Sequence, residues 1–148
     1  MINTLLVNVA GQGLHDITSQ VRARVKKELA KGQPTAEQPT KEQLNEGLCT
    51  LYIQHTSASL LIQENYDASA KTDLENWLNR LVPEHDSIYT HTIEGPDDMP
   101  AHIKSALTAT SLAIPVIDGD LALGTWQGVF LWEHRYREQT RKVIIHLA

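Results

Sequence analysis

The sequence predicts a compact single α+β domain, a largely antiparallel or mixed β-sheet with a few helices. Three observations carry that expectation. The chain has 148 residues, the length of one domain of ordinary size. Segments with two-residue apolar alternation outnumber those with helical spacing, and the two kinds are mixed along the chain. No internal repeat divides it.

Taken in order, Thr4 to Val9 places Leu5, Val7 and Val9 on one face and reads as a strand. Gly11 and Gly13 break it. Ile17, Val21, Val25 and Leu29 then recur every four residues, one stripe of an amphipathic helix with Asp16 or Thr18 as N-cap. Lys31 to Gly47 is polar, holds Pro34 and Pro39, and reads as an exposed loop insertion. Leu48 to Gln54 is a β-rich run, followed after a polar stretch by Leu60-Leu61-Ile62. Asp67 opens a second helix, with Leu74, Trp77, Leu78 and Leu81 on its stripe and Pro83 closing it. Ile88 to Thr92 reads as a short strand and Pro100 to Ala109 as a helix. Leu112 to Ile117, Leu121 to Glu133 and Lys142 to Leu147 read as strands, with Asp118-Gly119 a turn between the first two.

Composition excludes several classes of function. The net charge is −5, which argues against nucleic acid, since phosphate neutralisation needs clustered Lys and Arg. No apolar run approaches the roughly 20 residues of a membrane-spanning helix. Met1 to Thr4 lacks the basic and apolar regions of a signal peptide, so the cytoplasm is the expected location. Seven histidines stand against a single cysteine. A cysteine-based zinc site or disulfide framework is thereby ruled out, and any bound metal needs nitrogen and oxygen ligands.

Three constellations carry chemical groups. The densest runs from His91 to His102, where two histidines, Glu94, Asp97 and Asp98 lie around a Gly95-Pro96 turn. A turn lets such groups converge on a divalent ion, as a regular strand or helix would not. Asp98 reads equally well as a helix cap. The second is His55-Thr56-Ser57-Ala58-Ser59 with Glu64-Asn65, where hydroxyls and backbone amides after a strand can cradle an oxyanion. A serine nucleophile at Ser57 or Ser59, activated by His55, competes with that reading but lacks a nucleophile-elbow motif. The third is Gly124-Thr125-Trp126-Gln127-Gly128 with Glu133-His134-Arg135. Trp126 reads as a stacking surface for a ring, or, with Trp132, as core. Arg135, Arg137 and Arg141 can hold anions, although Arg141 also reads as a solvated residue of the last strand. His15, His85 and His146 have no acidic cluster beside them and read as structural or surface residues. His134 stays undecided.

In this order, the three constellations resemble the YjbQ family, also called the secondary thiamine-phosphate synthase family. The resemblance runs over nearly the whole chain; only the stretch from Lys31 to Gly47 looks longer than the family's usual connection. It implies a compact α+β fold, a homotrimer with sites near subunit boundaries, and a weak transferase activity. That reaction joins hydroxymethylpyrimidine diphosphate to a thiazole phosphate and releases diphosphate. The residues fit such chemistry. His91, His102, Glu64 and Asp98 are the catalytic candidates. Small phosphorylated substrates would meet His55, Thr56, Ser57, Asn65, Thr125, Trp126, Gln127 and Arg135, with Trp126 stacking on the pyrimidine and Gln127 reading its edge. A divalent metal, Mg or Zn, would be held by His91, His102, Glu94, Asp97 and Asp98 and would stabilise the departing diphosphate. Two other classes use the same groups: a metal- or anion-binding protein with incidental transferase activity, and a metal-dependent hydrolase using water as nucleophile.

Overall fold

The computed structural model describes residues 1–31 and 45–148. Its elements are β1 Ile2–Val9, β2 Gly13–Asp16, α1 Thr18–Lys31, β3 Gly47–Ile53, β4 Ala58–Glu64, α2 Ala68–Leu81, α3 Asp98–Leu107, β5 Ser111–Ile117, β6 Asp120–Leu121, β7 Gln127–Glu133 and β8 Gln139–Leu147. Two sheets result, a five-stranded one in the order β1-β8-β3-β5-β6 and a three-stranded one in the order β2-β7-β4. Every ladder between named strands is antiparallel. The α+β expectation holds. None of the described helices is long and apolar enough to cross a membrane.

Strand β7 explains the layering. Val129 and Leu131 join the main core with residues of β1, β3, β8 and α1, including Val7, Leu51, Val143 and Val21. Phe130 and Trp132 point the other way, into a second cluster with Leu14, Leu78 and Val82. A strand's side chains alternate faces, so the small sheet is covered on one side by the large sheet and α1 and on the other by α2. Trp132 is therefore core, whereas Trp126 is half exposed.

The same alternation places two charges inside. Glu133 shares the inward face of Val129 and Leu131, and Arg141 shares that of Val143, Ile145 and Leu147. Both are buried. They meet across the two sheets, Arg141 Nε donating to Glu133 Oε2 and Nη2 to Oε1, each at 2.6 Å. The reading of Arg141 as solvated is corrected: its parity in β8 puts it on the core face.

Several local expectations are met and others revised. Asp67 caps α2, its carboxylate accepting from Ser69 N at 2.8 Å. Asp16 accepts from Thr18 N at the start of α1. Helix α3 begins two residues before Pro100, which occupies its third position. Ile88 to Thr92 forms no strand; Ile88 and Ile93 are strongly exposed and no sheet edge pairs with them. Leu121 to Glu133 divides into β6, a turn and β7. Strand β2, which pairs with β7, was not anticipated. Most of the stretch assigned to an exposed loop, residues 32–44, lies outside the described residues; Lys31 ends α1 and Gly47 begins β3.

The buried pair sets the first prediction. Glu133→Gln strands the Arg141 charge and should cost about 3–5 kcal/mol in urea unfolding. Replacing both residues by apolar ones, Glu133→Leu with Arg141→Met, should recover most of the loss. A single variant as stable as the parent would show that the pair does not hold the sheets together.

Candidate functional site

The end of β7 organises the site. Besides Arg141, Glu133 Oε1 accepts from the backbone N–H groups of His134 and Arg135, at 3.1 and 3.0 Å. This fixes the chain just past the strand and aims Arg135 at the start of α3. Arg135 Nε donates to Asp97 Oδ2 at 3.0 Å, Nη1 to Asp98 Oδ1, and Nη2 to the Glu94 carbonyl at 2.8 Å. Asp97 Oδ2 also accepts from Tyr136 N at 2.9 Å. Gly95 lets the chain turn into this clamp. Its φ is +111°, and a Cβ there would lie 3.1 Å from Asp97 Oδ1.

With Oδ1 taken by Arg135, Asp98 presents Oδ2 to two imidazoles. His91 Nε2 lies 2.8 Å from it and His102 Nε2 3.5 Å. The two rings are 5.4 Å apart. His102 follows Asp98 by four residues on α3, so both project from one helix face. His102 Nδ1 contacts the Thr56 carbonyl at 3.1 Å. A carbonyl only accepts, so Nδ1 donates there, and this bond turns Nε2 toward Asp98. The Asp98 side chain is 2% exposed, yet Oδ2 has no hydrogen-bond partner among the described residues. The approach of His91 to Oδ2 is an imidazole–carboxylate pair, an ion pair whenever that ring is protonated.

One ligand atom from each of His91, Asp98 and His102 lies within 4.8 Å of the others. Around an ion with bonds of about 2.1 Å, ligand atoms stand roughly 3–3.5 Å apart. The three residues could hold a metal ion if their atoms drew somewhat closer together. His91 is 50% and His102 33% exposed, which leaves one side of the trio open.

Two clefts adjoin it, and a third shares residues with one of these. One of about 280 Å³ is lined by His85, Tyr89, His91 and Met99. A second, of about 250 Å³, is lined by His55, Thr56, His102 and Thr110. A third, of about 540 Å³, shares His55, Thr56 and Thr110 and adds Ser57 and Arg141. His55 and His102 thus share a cleft, and His91 faces His102 from the far side.

The remaining candidates are placed differently. Asp97 is turned to Arg135, away from the trio, and Glu94 is an exposed carboxylate 3.8 Å from Arg135 Nη1. Neither joins the converging ligands. Arg135 is buried among the carboxylates, so it is a positioning residue rather than a contact for substrate. Glu64 pairs with Gln127 in the β4–β7 ladder, whereas Ala58 pairs with Glu133. Six residues of strand separate the two ends, about 20 Å at 3.3 Å per residue. Glu64, Asn65, Thr125, Trp126 and Gln127 therefore lie at the opposite end of the small sheet from the histidines. Within one chain Glu64 does not join His91, Asp98 and His102. Trp126 meets Tyr66 edge-on at 4.6 Å.

A serine nucleophile is not assembled. Ser59 is fully buried and bonded to His134 Nε2 at 2.9 Å, while Ser57 Oγ accepts from Arg141 Nη2 at 2.9 Å. Asp98 does not cap α3; that position is Asp97, which makes no side-chain cap bond. Sequence reasoning missed the buried network behind the site: His134 with Ser59, and Lys104, whose Nζ donates to Asn79 Oδ1 at 2.6 Å. Burial lowers the Lys104 ammonium from its ordinary value. The one signal available for Arg141 was its parity with Val143.

Comparison with known proteins places the chain. The family described as UPF0047 protein YjbQ-like matches residues 33–148. The chain belongs to this family. It is 48% identical over 144 residues to UPF0047 protein sll1880 of Synechocystis, covering 97% of this chain and 88% of that protein. It is 39% identical over 144 residues to UPF0047 protein YjbQ of Escherichia coli O157:H7, covering 97% and 94%. The crystal structure of the conserved hypothetical protein TT1486 from Thermus thermophilus superposes with a TM-score of 0.79 at 32% identity, covering 99% of each chain.

His134 yields a pH prediction. Burial, then the Lys104 and Arg141 charges, push its imidazole down to about 3. The unfolded ring takes up its proton near pH 6.5, so the folded state loses stability as pH falls from about 6.5 toward 3, by up to about 1.4 kcal/mol per pH unit. His134→Gln, which keeps a partner for Ser59, should flatten that slope in urea titrations from pH 7 to pH 4. An unchanged slope would assign the acid lability elsewhere.

Proposed function

We propose that this YjbQ-family chain is a divalent-metal-dependent enzyme of small phosphorylated molecules, with His91, Asp98 and His102 holding the ion. The step it assists is diphosphate departure, as in thiamine-phosphate synthase-like transfer. The observation that carries the reading is the buried Asp98 Oδ2. Among the described residues it has no hydrogen-bond partner, although the Nε2 atoms of His91 and His102 stand 2.8 and 3.5 Å from it. With their Nε2 atoms unprotonated, as metal ligation requires, these imidazoles and the carboxylate would all turn acceptors to one point, where a cation would relieve their repulsion. Two imidazoles and one carboxylate favour a borderline ion such as zinc over magnesium or manganese, which suit oxygen ligands better. Such an ion would neutralise the charge that accumulates on departing diphosphate.

The chain's own groups have definite tasks in this reading. Arg135 fixes Asp98 through Oδ1 and leaves Oδ2 free. The Thr56 carbonyl fixes the tautomer of His102. The clefts on either side admit substrate to the open face. The homotrimer belongs to the same proposal. Trp126 and Gln127, suited to a pyrimidine, reach a histidine site only if a second copy of the chain supplies them.

A metal-dependent hydrolase is the second reading. The open face of a two-histidine, one-aspartate set favours it, because such a set leaves room for water as nucleophile.

Metal analysis and turnover separate these readings. Protein dialysed against zinc, manganese or magnesium should retain about one ion per chain. Asp98→Asn and His102→Ala should lose it, and with it more than tenfold of the condensation rate measured with both substrates. Phosphate or diphosphate release without the thiazole acceptor would favour the hydrolase. Stoichiometric metal with turnover unchanged in both variants would remove the proposal.

A further inference from the structure

The 540 Å³ cleft beside the trio has a floor whose hydrogen bonding is unbalanced. His55 Nε2 accepts from the backbone N–H of Lys142 at 2.8 Å. An amide nitrogen only donates, so Nε2 holds the lone pair and the neutral ring carries its proton on Nδ1. Burial, followed by the Arg141 charge, lowers the His55 pKa and keeps the ring neutral. Yet Nδ1 faces Arg141 Nη1 at 3.3 Å, and a guanidinium has no acceptor. Two donors meet, and among the described residues Nη1 has no other partner. The Arg141 side chain is only 6% exposed, its other nitrogens being held by Glu133 and Ser57. Its remaining donor edge, together with His55, lines the cleft.

We propose that His55 Nδ1–H and Arg141 Nη1–H form a two-donor notch for one oxygen of a phosphate group, with Thr56 and Thr110 lining the space around the group's other oxygens. The local charge suits an anion. Arg141 and Lys142 act on His55 as cations against the single carboxylate of Glu133, leaving one positive charge in excess. Glu133 is already saturated by Arg141 and two backbone amides, so its charge is directed inward, away from the cleft. Thr56 joins the notch to the trio: its carbonyl receives His102, and His55 precedes it in the chain. The inference rests on the reading above only in assigning the phosphate to the substrate of that site. The notch itself needs no metal.

Inorganic phosphate is the probe, titrated by calorimetry and by phosphorus NMR into protein freed of metal with EDTA. Saturable millimolar or tighter binding is expected. Two substitutions at His55 separate its ring nitrogens. In His55→Asn the side-chain amide nitrogen replaces Nδ1, and phosphate affinity should stay within about threefold. His55→Gln keeps an acceptor near Nε2 but removes the donor, and affinity should fall at least tenfold. Neither variant disturbs the Glu133–Arg141 pair, and circular dichroism checks that both fold. Equal phosphate affinity in His55→Gln and the parent would overturn the notch. So would phosphate binding that vanishes with EDTA, because a metal would then be the receptor. Phosphate binding that survives in metal-free Asp98→Asn supports the notch even if the metal proposal fails. Failure of metal-free parent protein to bind phosphate overturns the notch and leaves the metal proposal standing.

Discussion

The paired contact between Glu133 and Arg141 is the constraint on which the remainder of the site depends. It closes one end of the apolar space between the sheets with charge instead of hydrocarbon. Burying both ions is costly, and the cost is offset only because nearly every polar atom of the pair is used. Glu133 takes two guanidinium bonds and two backbone amides. Arg141 adds Ser57 and faces His55. A pair so saturated holds the backbone of His134 and Arg135 at one angle, and that angle delivers Arg135 to Asp97 and Asp98.

Polar clamping replaces hydrophobic packing around the site. The segment between α2 and α3 exposes Ile88 and Ile93 and buries little apolar side chain of its own. It is held by Arg135 through the Glu94 carbonyl and the Asp97 and Asp98 carboxylates. The N-terminal end of α3 adds its partial positive charge to that of Arg135, which favours two adjacent carboxylates there. His91 comes from this clamped segment, His102 from the helix, and Thr56 from the chain entering β4. Three separately anchored pieces of backbone thus set the spacing of the two imidazoles and the carboxylate, as a preorganised metal site would require.

The fold was legible in the sequence where period and capping agree. Asp67 before the stripe of Leu74 and Leu78 gave α2 its start, and the alternation of Leu5, Val7 and Val9 gave β1 its inner face. The His91–His102 stretch was legible as a site because turn residues gather imidazoles and carboxylates within twelve positions. Strand direction was not legible. His55 and Glu64 lie nine positions apart in one motif, yet β4 carries Glu64 away along its length. Buried charge was legible only in part. Arg141 alternates with Val143 and Ile145, but arginine's preference for water pulled the reading outward, and the partner that justifies burial comes from the other sheet. Ser59 and His134 were hidden for the same reason, since each is satisfied across a strand pair rather than along the chain.

The central proposal is that Arg135 and Thr56 hold Asp98 and His102 so that they would form, with His91, a divalent-metal site. Anomalous diffraction from crystals grown with zinc or manganese, recorded on both sides of the metal edge, tests it most directly. The account predicts one strong peak per chain within bonding distance of His91 Nε2, Asp98 Oδ2 and His102 Nε2. Side-chain positions should scarcely differ from those described. A map with no peak there, or with the metal on Glu64, Glu94 or Asp97 instead, would contradict it.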